Sequence, residues 1–163
     1  MGNSFTMRKL ELFSRPMLKE LLVAFAIVAV CLLLHVITIV FLADWMLDRR
    51  EKSKEQMGTL GYMLLLISAF SVIIFLHLTE IAIWAILYYA RSLFQDLETS
   101  LYFSLTSYTT IGFGDVVLPR AWRMLGGIEG ITGVLLCGLS TAFVFAIVNA
   151  MFQMRVQKRT NVP

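Results

Sequence analysis

Apolar residues fill three long stretches of the chain, and charged residues collect between them. Residues 21–43 form a run of 23 without a charged side chain, and residues 60–90 and 121–153 carry only isolated charges. About 20 apolar residues are enough to cross the hydrocarbon core of a bilayer as a helix. The pattern therefore predicts an all-α membrane protein with three transmembrane helices. We call residues 60–90 the outer helix and residues 121–153 the inner helix.

The polar segments divide the chain into five parts. Residues 1–20 mix apolar and basic side chains and are expected to form an interfacial segment, and residues 21–45 form a peripheral transmembrane helix. Residues 46–59 are a charged linker, residues 60–153 form the main domain with the other two apolar stretches, and residues 154–163 are a basic tail. The linker and the tail mark places where the chain is expected to leave the membrane.

A short segment between the outer and inner helices cannot span the membrane. Residues 99–109 are predicted to form a helix, which we call the pore helix, and residues 110–115, the filter segment, contain two glycines. Irregular backbone at membrane depth is tolerated only where it is buried in protein or lines a watery cavity. Gly112 and Gly114 can adopt dihedral angles closed to residues with a Cβ, so successive carbonyl groups can turn to one side. The segment is therefore expected to enter the membrane and turn back.

A row of backbone oxygens of this kind can replace the water around a cation. The hydroxyl group of Thr110 can add one oxygen at the inner end of the row. Neutral oxygen ligands suit a monovalent ion that must bind and then leave. One loop covers only one side of an ion path, so four chains around an axis are required. The expected assembly is a homotetramer in a lipid membrane.

The filter segment reads Thr-Ile-Gly-Phe-Gly-Asp and resembles the selectivity filter of the potassium-channel pore-loop family, whose pattern is T-V-G-Y-G-D. The resemblance extends over about residues 62–153 and is greatest to small bacterial members and to the repeats of two-pore-domain channels. It implies a potassium-selective channel of a bacterial inner membrane, with no cofactor besides the potassium ions. It also implies which residues form the filter: potassium sites at Thr110, Ile111, Gly112 and Phe113, followed by Gly114.

Two positions depart from the family pattern. Phe113 stands in place of tyrosine and lacks the hydroxyl group that usually anchors the filter laterally. Thr106 stands where some members carry a glutamate that pairs with the filter aspartate, here Asp115. The resemblance implies that Thr106 and Asp115 support the filter and that its rigidity differs from that of other members.

The inner helix carries one continuous stripe of residues at intervals of four. We interpret this stripe as the wall of the conduction path, with its inner end narrowed by one of the last two members: Cys137, Thr141, Phe145 and Asn149. By resemblance, Gly133 and Gly138 match the region where the inner helices of the family bend. Three further glycines are expected to serve close helix packing: Gly126, Gly127 and Gly130.

Three ionisable residues of the outer and inner helices are candidates for a functional role: His77, Glu80 and Glu129. Such groups are functional candidates because an uncompensated charge inside a membrane is costly. We interpret them as a polar network behind the filter that makes conduction sensitive to pH. The alternative is that each acid is a structural group that ties helices together. His35 and Cys31 also share a helix face, but two ligands do not make a metal site.

Charge and motif content exclude several functional classes. Fourteen Lys and Arg residues against eleven acids give a net charge of +3, and the basic residues flank the spans rather than forming a nucleic-acid-binding stripe. The sequence lacks the repeated arginines of a voltage sensor. It also lacks a phosphate loop, a nucleophile with an adjacent base and a metal-ligand cluster, so the protein is not expected to be an enzyme.

The distribution of Lys and Arg residues bears on the membrane topology. If the filter faces outward and three helices cross, the N-terminus lies outside, with seven Lys and Arg residues on each side. The positive-inside rule then gives no support, whereas a first helix that did not cross would give eleven inside and three outside. The length of the first apolar run favours crossing.

Two functional alternatives stay open: a weakly selective cation channel, and a non-conducting subunit or sensor that retains the pore fold.

Overall fold

The computed structural model describes the backbone of residues 2–52 and 59–160 and the side chains of residues 18–49 and 60–153. These parts of the chain contain helices and no strand: α1 (Gly2–Lys52), α2 (Thr59–Ala90), α3 (Leu97–Tyr108), a 3-10 turn (Arg120–Trp122) and α4 (Arg123–Thr160). Three segments are long and apolar enough to cross a membrane: Leu18–Arg49, Leu60–Ala90 and Arg120–Gln153. The expected all-α membrane fold is confirmed.

Helix α1 is longer than the sequence pattern indicated. The interfacial segment, the peripheral helix and the first part of the charged linker form one helix from Gly2 to Lys52. The helix continues past residue 45 because residues 46–52 contain neither glycine nor proline, and charged residues are compatible with helix. The basic tail likewise continues α4 to Thr160. Residues 53–58 of the linker lie outside the described residues.

Helix α3, the pore helix, begins at Leu97 because Asp96 caps it. One carboxylate oxygen of Asp96 accepts a hydrogen bond from the backbone N–H of Thr99 at 2.7 Å, and the other accepts from the Thr99 hydroxyl at 2.9 Å. An N-cap of this kind satisfies a donor that the first helical turn leaves free. Both bonds favour the ionised carboxylate and lower the pKa of Asp96. The helix therefore starts two residues before the predicted residue 99.

The chain divides into two compact units. The first contains residues up to Leu34 together with Leu78–Val134, and therefore holds α3 and the filter segment. Its interior is aromatic: the Tyr88 ring packs edge-on against Phe103, with 5.3 Å between the ring centroids. Edge-to-face pairs of this kind add specific geometry to apolar burial. Packing of α2 against α3 thus positions the pore helix.

The second unit contains His35–His77 and Leu135–Pro163. Its core is apolar and is built from buried and half-buried side chains of α1, α2 and α4: Leu42, Trp45, Met46, Leu65, Ala69, Ile73, Phe143, Val144 and Ile147. A polar contact adds to it, because the Ser140 hydroxyl oxygen lies 3.1 Å from the Nε2 atoms of both His35 and His77. Apolar packing and this contact together join three helices.

Candidate functional site

The backbone φ angle changes sign from residue to residue along the filter segment. Thr110, Gly112 and Gly114 have φ angles of +59°, +53° and +79°, and the residues between them have negative φ. Alternation of positive and negative φ angles allows successive carbonyl groups to turn to one side of the chain. The two glycines were expected to adopt such angles. Thr110 extends the alternation by one residue, which the sequence did not indicate.

Thr110 is held in its left-handed conformation by hydrogen bonds. This conformation costs a residue with a Cβ on the order of 1–3 kcal/mol. The backbone N–H of Thr110 donates to the Ser107 carbonyl oxygen at 3.0 Å, and the Thr110 hydroxyl donates to the Thr109 carbonyl oxygen at 2.7 Å. These bonds offset the strain at the first residue of the filter segment.

The filter segment is attached to α3 through backbone amides. The N–H of Gly112 donates to the Thr106 carbonyl oxygen at 3.1 Å, and the N–H of Thr109 donates to the Leu105 carbonyl oxygen at 3.1 Å. The last carbonyl groups of a helix have no partner within the helix, so these donors also satisfy its C-terminus. The end of α3 therefore fixes the position of the filter backbone.

Asp115 is braced by Tyr102, a residue that the sequence did not single out. The Tyr102 hydroxyl donates to the Asp115 carboxylate at 2.7 Å, which lowers the pKa of Asp115 and raises that of Tyr102. The other expected support, Thr106, uses its hydroxyl within α3, where it donates to the Phe103 carbonyl oxygen at 3.0 Å. Thr106 therefore reaches the filter segment through its carbonyl group, and Tyr102 contacts Asp115 from one helical turn earlier.

Glu129 lies buried behind α3 between two hydroxyl groups. One carboxyl oxygen lies 2.6 Å from the Tyr88 hydroxyl, which donates to it, and the other lies 2.5 Å from the Ser104 hydroxyl. The Ser104 hydroxyl is also 2.8 Å from the Ile81 carbonyl oxygen. A hydroxyl has one hydrogen to donate. The Ser104 hydroxyl therefore shares its one hydrogen between the two acceptors, unless Glu129 carries a proton and donates it to Ser104.

Glu80 is likewise fully buried and bound to α3. It accepts a hydrogen bond from the Tyr108 hydroxyl at 2.5 Å. The two acids thus contact different hydroxyl groups on the pore helix, which is the side of the filter where they were expected. His77, the third member of the expected network, belongs to the second unit, where it contacts Ser140.

Glycines on α4 let this helix approach α3 closely. A Cβ atom at Gly126 would lie 3.1 Å from the Phe103 ring, one at Gly130 would lie 3.1 Å from the Ser107 carbonyl oxygen, and one at Gly133 would collide with the Tyr108 carbonyl oxygen. Gly133 was expected at a bend of the inner helix. The structure shows close packing at this position, because helix backbones meet there.

Two glycines of α4 have open surroundings in the chain. A Cβ atom added at Gly127 or Gly138 would meet no atom within 4 Å. Gly127 was expected to serve packing, and the structure places no neighbour there. Gly138 was expected at the bend together with Gly133. The two positions differ, because a Cβ atom fits at Gly138 and collides with the Tyr108 carbonyl oxygen at Gly133.

The expected pore-lining stripe lies on an exposed face of α4. Cys137, Thr141, Phe145 and Asn149 are all exposed, and Phe145 is 69% accessible. The Thr141 hydroxyl donates to the Cys137 carbonyl oxygen at 2.8 Å, which keeps its hydrogen on the helix. In the filter segment, Ile111 and Phe113 are also exposed, by 57% and 69%. Large apolar side chains are thus uncovered at both places.

Residues 62–150 match the sequence model of a protein family described as an ion channel. The match covers more than half of the 163 residues, so the chain belongs to this ion-channel family. With its three membrane-capable helices, it is an integral membrane protein whose family function is ion transport. No curated protein and no solved structure gave a match.

Proposed function

We propose that this ion channel selects potassium. The observation that carries the proposal is the positive φ angle at every second residue: Thr110, Gly112 and Gly114. The sequence of this segment resembles a potassium filter. Carbonyl oxygens turned to one side replace the hydration shell of a monovalent cation without holding it by net charge. The four potassium sites use the oxygens of successive residues: Thr110, Ile111, Gly112 and Phe113.

The pore helix favours a cation beside the filter segment. A helix carries a partial negative charge at its C-terminal end, and α3 ends at Tyr108, two residues before Thr110. Some of its terminal carbonyl groups accept bonds from the filter backbone, so the same helix end also holds the segment in place. The C-terminal end of α3 therefore both attracts the cation and holds the filter backbone that coordinates it.

Four chains form the conduction path. One filter segment supplies oxygens from one side only, and the exposed Ile111 and Phe113 side chains in a single chain support their burial against neighbouring copies. The exposed stripe on α4 faces the axis in this assembly, with Phe145 or Asn149 at the narrow inner end. Phe145 excludes water there when the channel is closed, and Gly138 provides the bend.

Protonation of Glu129 regulates the filter. When Glu129 carries a proton it donates to Ser104, and when it loses the proton the Ser104 hydroxyl has two acceptors and one hydrogen. Deprotonation therefore weakens one bond between the pore helix and its surroundings. Glu80 restrains the same helix through Tyr108. His77 contributes through the contact with Ser140 in the second unit.

The channel lies in a bacterial inner membrane with α1 crossing it and the N-terminus outside. The length and hydropathy of the span Leu18–Arg49 support this arrangement. No ligand-binding or voltage-sensing segment enters the proposed mechanism. The stimulus acts through protons, the filter or the membrane itself.

Reconstitution of the purified protein into liposomes tests the proposal. We expect tracer potassium uptake above that of protein-free liposomes, and a reversal potential under potassium and sodium gradients that shows potassium to be preferred. Equal permeability of the two ions would favour the weakly selective cation channel. Absence of flux from correctly assembled tetramers would favour the non-conducting subunit or sensor.

A further inference from the structure

A second site lies in the first unit, where three membrane segments begin or end. A cavity of about 370 Å³ is bounded there by α1, the end of α2 and the 3-10 turn before α4: Lys19, Glu20, Leu22, Val23, Arg91 and Trp122 line it together with Ala121. The first charge-free apolar run begins at Leu21, and the other two spans end at Ala90 and begin at Arg120. The cavity therefore lies at the level where lipid headgroups meet acyl chains.

Two cationic residues are among those that line the cavity. Lys19 and Arg91 are both exposed, and the Arg91 guanidinium carbon lies 5.9 Å from the centroid of the Trp122 ring. Tryptophan favours the membrane interface, and Arg and Lys are the usual partners of phosphate groups. These two cationic side chains suit the phosphate of a phospholipid.

Glu20 gives the cavity a second polar feature. It lines the cavity although its side chain is only 5% exposed. A buried acid at a membrane boundary is costly unless it meets a cation or carries a proton. An anionic headgroup would be repelled by this residue, whereas an ammonium group would be attracted to it.

We propose that this cavity binds the headgroup of a phosphoethanolamine lipid. The lipid phosphate contacts Lys19 and Arg91, and the primary ammonium group donates hydrogen bonds to the Glu20 carboxylate. The first part of the acyl chains lies along Leu22 and Val23, which line the same cavity. A zwitterionic lipid of this class matches both signs of charge present in the site.

The ammonium group distinguishes this lipid from other phospholipids. A choline headgroup carries the same charges but has no N–H donor, so it cannot hydrogen-bond to Glu20. A phosphoglycerol headgroup keeps the phosphate but has no cation, so it offers Glu20 no ammonium group. Hydrogen bonds between charged groups are the stronger kind, and losing one is expected to weaken binding about tenfold.

Native mass spectrometry of the full-length protein in detergent measures this preference. The probes are lipids with identical acyl chains whose headgroup is ethanolamine, its mono-, di- or trimethylated form, or glycerol. We expect affinity to fall with each N-methylation, to about one tenth for the trimethylated form. Equal binding of the ethanolamine and trimethylated forms, or tighter binding of the glycerol form, would overturn the proposal.

Two kinds of variant separate the two halves of the headgroup. Glu20→Gln is expected to abolish the preference for ethanolamine over choline lipids, whereas Lys19→Gln combined with Arg91→Gln is expected to weaken both lipids alike. Asp44→Asn, at an exposed acid further along α1, is the matched control and is expected to keep the preference. If Glu20→Gln retained the preference in protein of unchanged helicity and oligomeric mass, the carboxylate would not be the ammonium partner. The lipid preference is independent of potassium selectivity, so the flux experiment and this one can fail separately.

Discussion

Gly133 packs against the carbonyl oxygen of Tyr108 with no room for a Cβ atom between them. The contact joins α4 to the last residue of α3, two residues before the filter segment begins at Thr110. Because the obstacle is backbone rather than the end of a flexible side chain, neither helix can relieve a clash by changing a rotamer.

Gly133→Ala is therefore expected to destabilise the protein. Overpacking of a tight interface typically costs about 1–3 kcal/mol. Gly138→Ala is the matched control, since its Cβ atom would meet nothing within 4 Å and alanine favours helix. Thermal unfolding of the two variants in detergent measures the difference. Equal melting temperatures would contradict the close contact at Gly133.

Gly112→Ala is expected to abolish the preference for potassium over sodium. The φ angle of +53° at Gly112 is unfavourable for alanine, and a change there would turn a carbonyl group away from its neighbours. Gly127→Ala adds the same methyl group at a helical position with open surroundings and is expected to keep the preference. Reversal potentials of reconstituted protein measure both. A selective Gly112→Ala channel would remove the filter assignment.

Tyr102→Phe is expected to raise the pH at which protonation of Asp115 changes potassium flux. The Tyr102 hydroxyl stabilises the ionised Asp115 carboxylate and lowers its pKa, so its removal raises that pKa and lets the carboxylate protonate at higher pH. Tyr89→Phe removes a hydroxyl from an exposed tyrosine and is the control. Potassium flux measured against external pH gives the comparison. Superimposable profiles for Tyr102→Phe and the parent would exclude this brace.

Glu129→Gln is expected to give, at every pH, the flux that the parent channel shows at low pH. Glutamine keeps a donor for Ser104 and an acceptor for Tyr88, but it cannot lose a proton. Flux of the parent should change between about pH 5 and about pH 8, and flux of this variant should not. Glu98→Gln, at an exposed acid of the same pore helix, serves as the control. A parent and a Glu129→Gln variant with the same profile would leave Glu129 a packing residue.

Phe145→Ala is expected to raise open probability, because a smaller side chain no longer excludes water from the narrow inner end. Phe70→Ala removes an equally large exposed ring from α2 and should leave gating unchanged. Single-channel recording measures open probability, and the mass in detergent must correspond to four chains. An unchanged Phe145→Ala channel would place the constriction elsewhere.

The sequence predicts the helices well and their ends less well. Long apolar runs determine which segments can cross a membrane, and α2 begins within one residue of the predicted start. The ends of α1 differ from the predicted residues 21 and 45, because hydropathy indicates where a helix leaves the membrane and not where the helix ends. The start of α3 depends on Asp96, whose capping role is a matter of local geometry.

The filter glycines were predictable, whereas the residues that hold the filter were not. Two glycines at alternate positions indicate positive φ, but a threonine does not, and Thr110 adopts it through contacts formed only in the fold. Ser104 and Tyr108 are four residues apart and so share one face of α3. That spacing could have placed them together, but no sequence rule pairs them with acids that lie 25 and 28 positions away.

The position of Ser140 between His35 and His77 has a consequence for biogenesis. Ribosomes synthesise α4 after α1 and α2, so both imidazole rings are present in the nascent chain before the hydroxyl that lies between them. Their ring centroids are 5.3 Å apart in the finished unit. Docking of α4 completes this polar contact, and the nascent chain therefore reaches its final state in the second unit only after translation has passed Ser140.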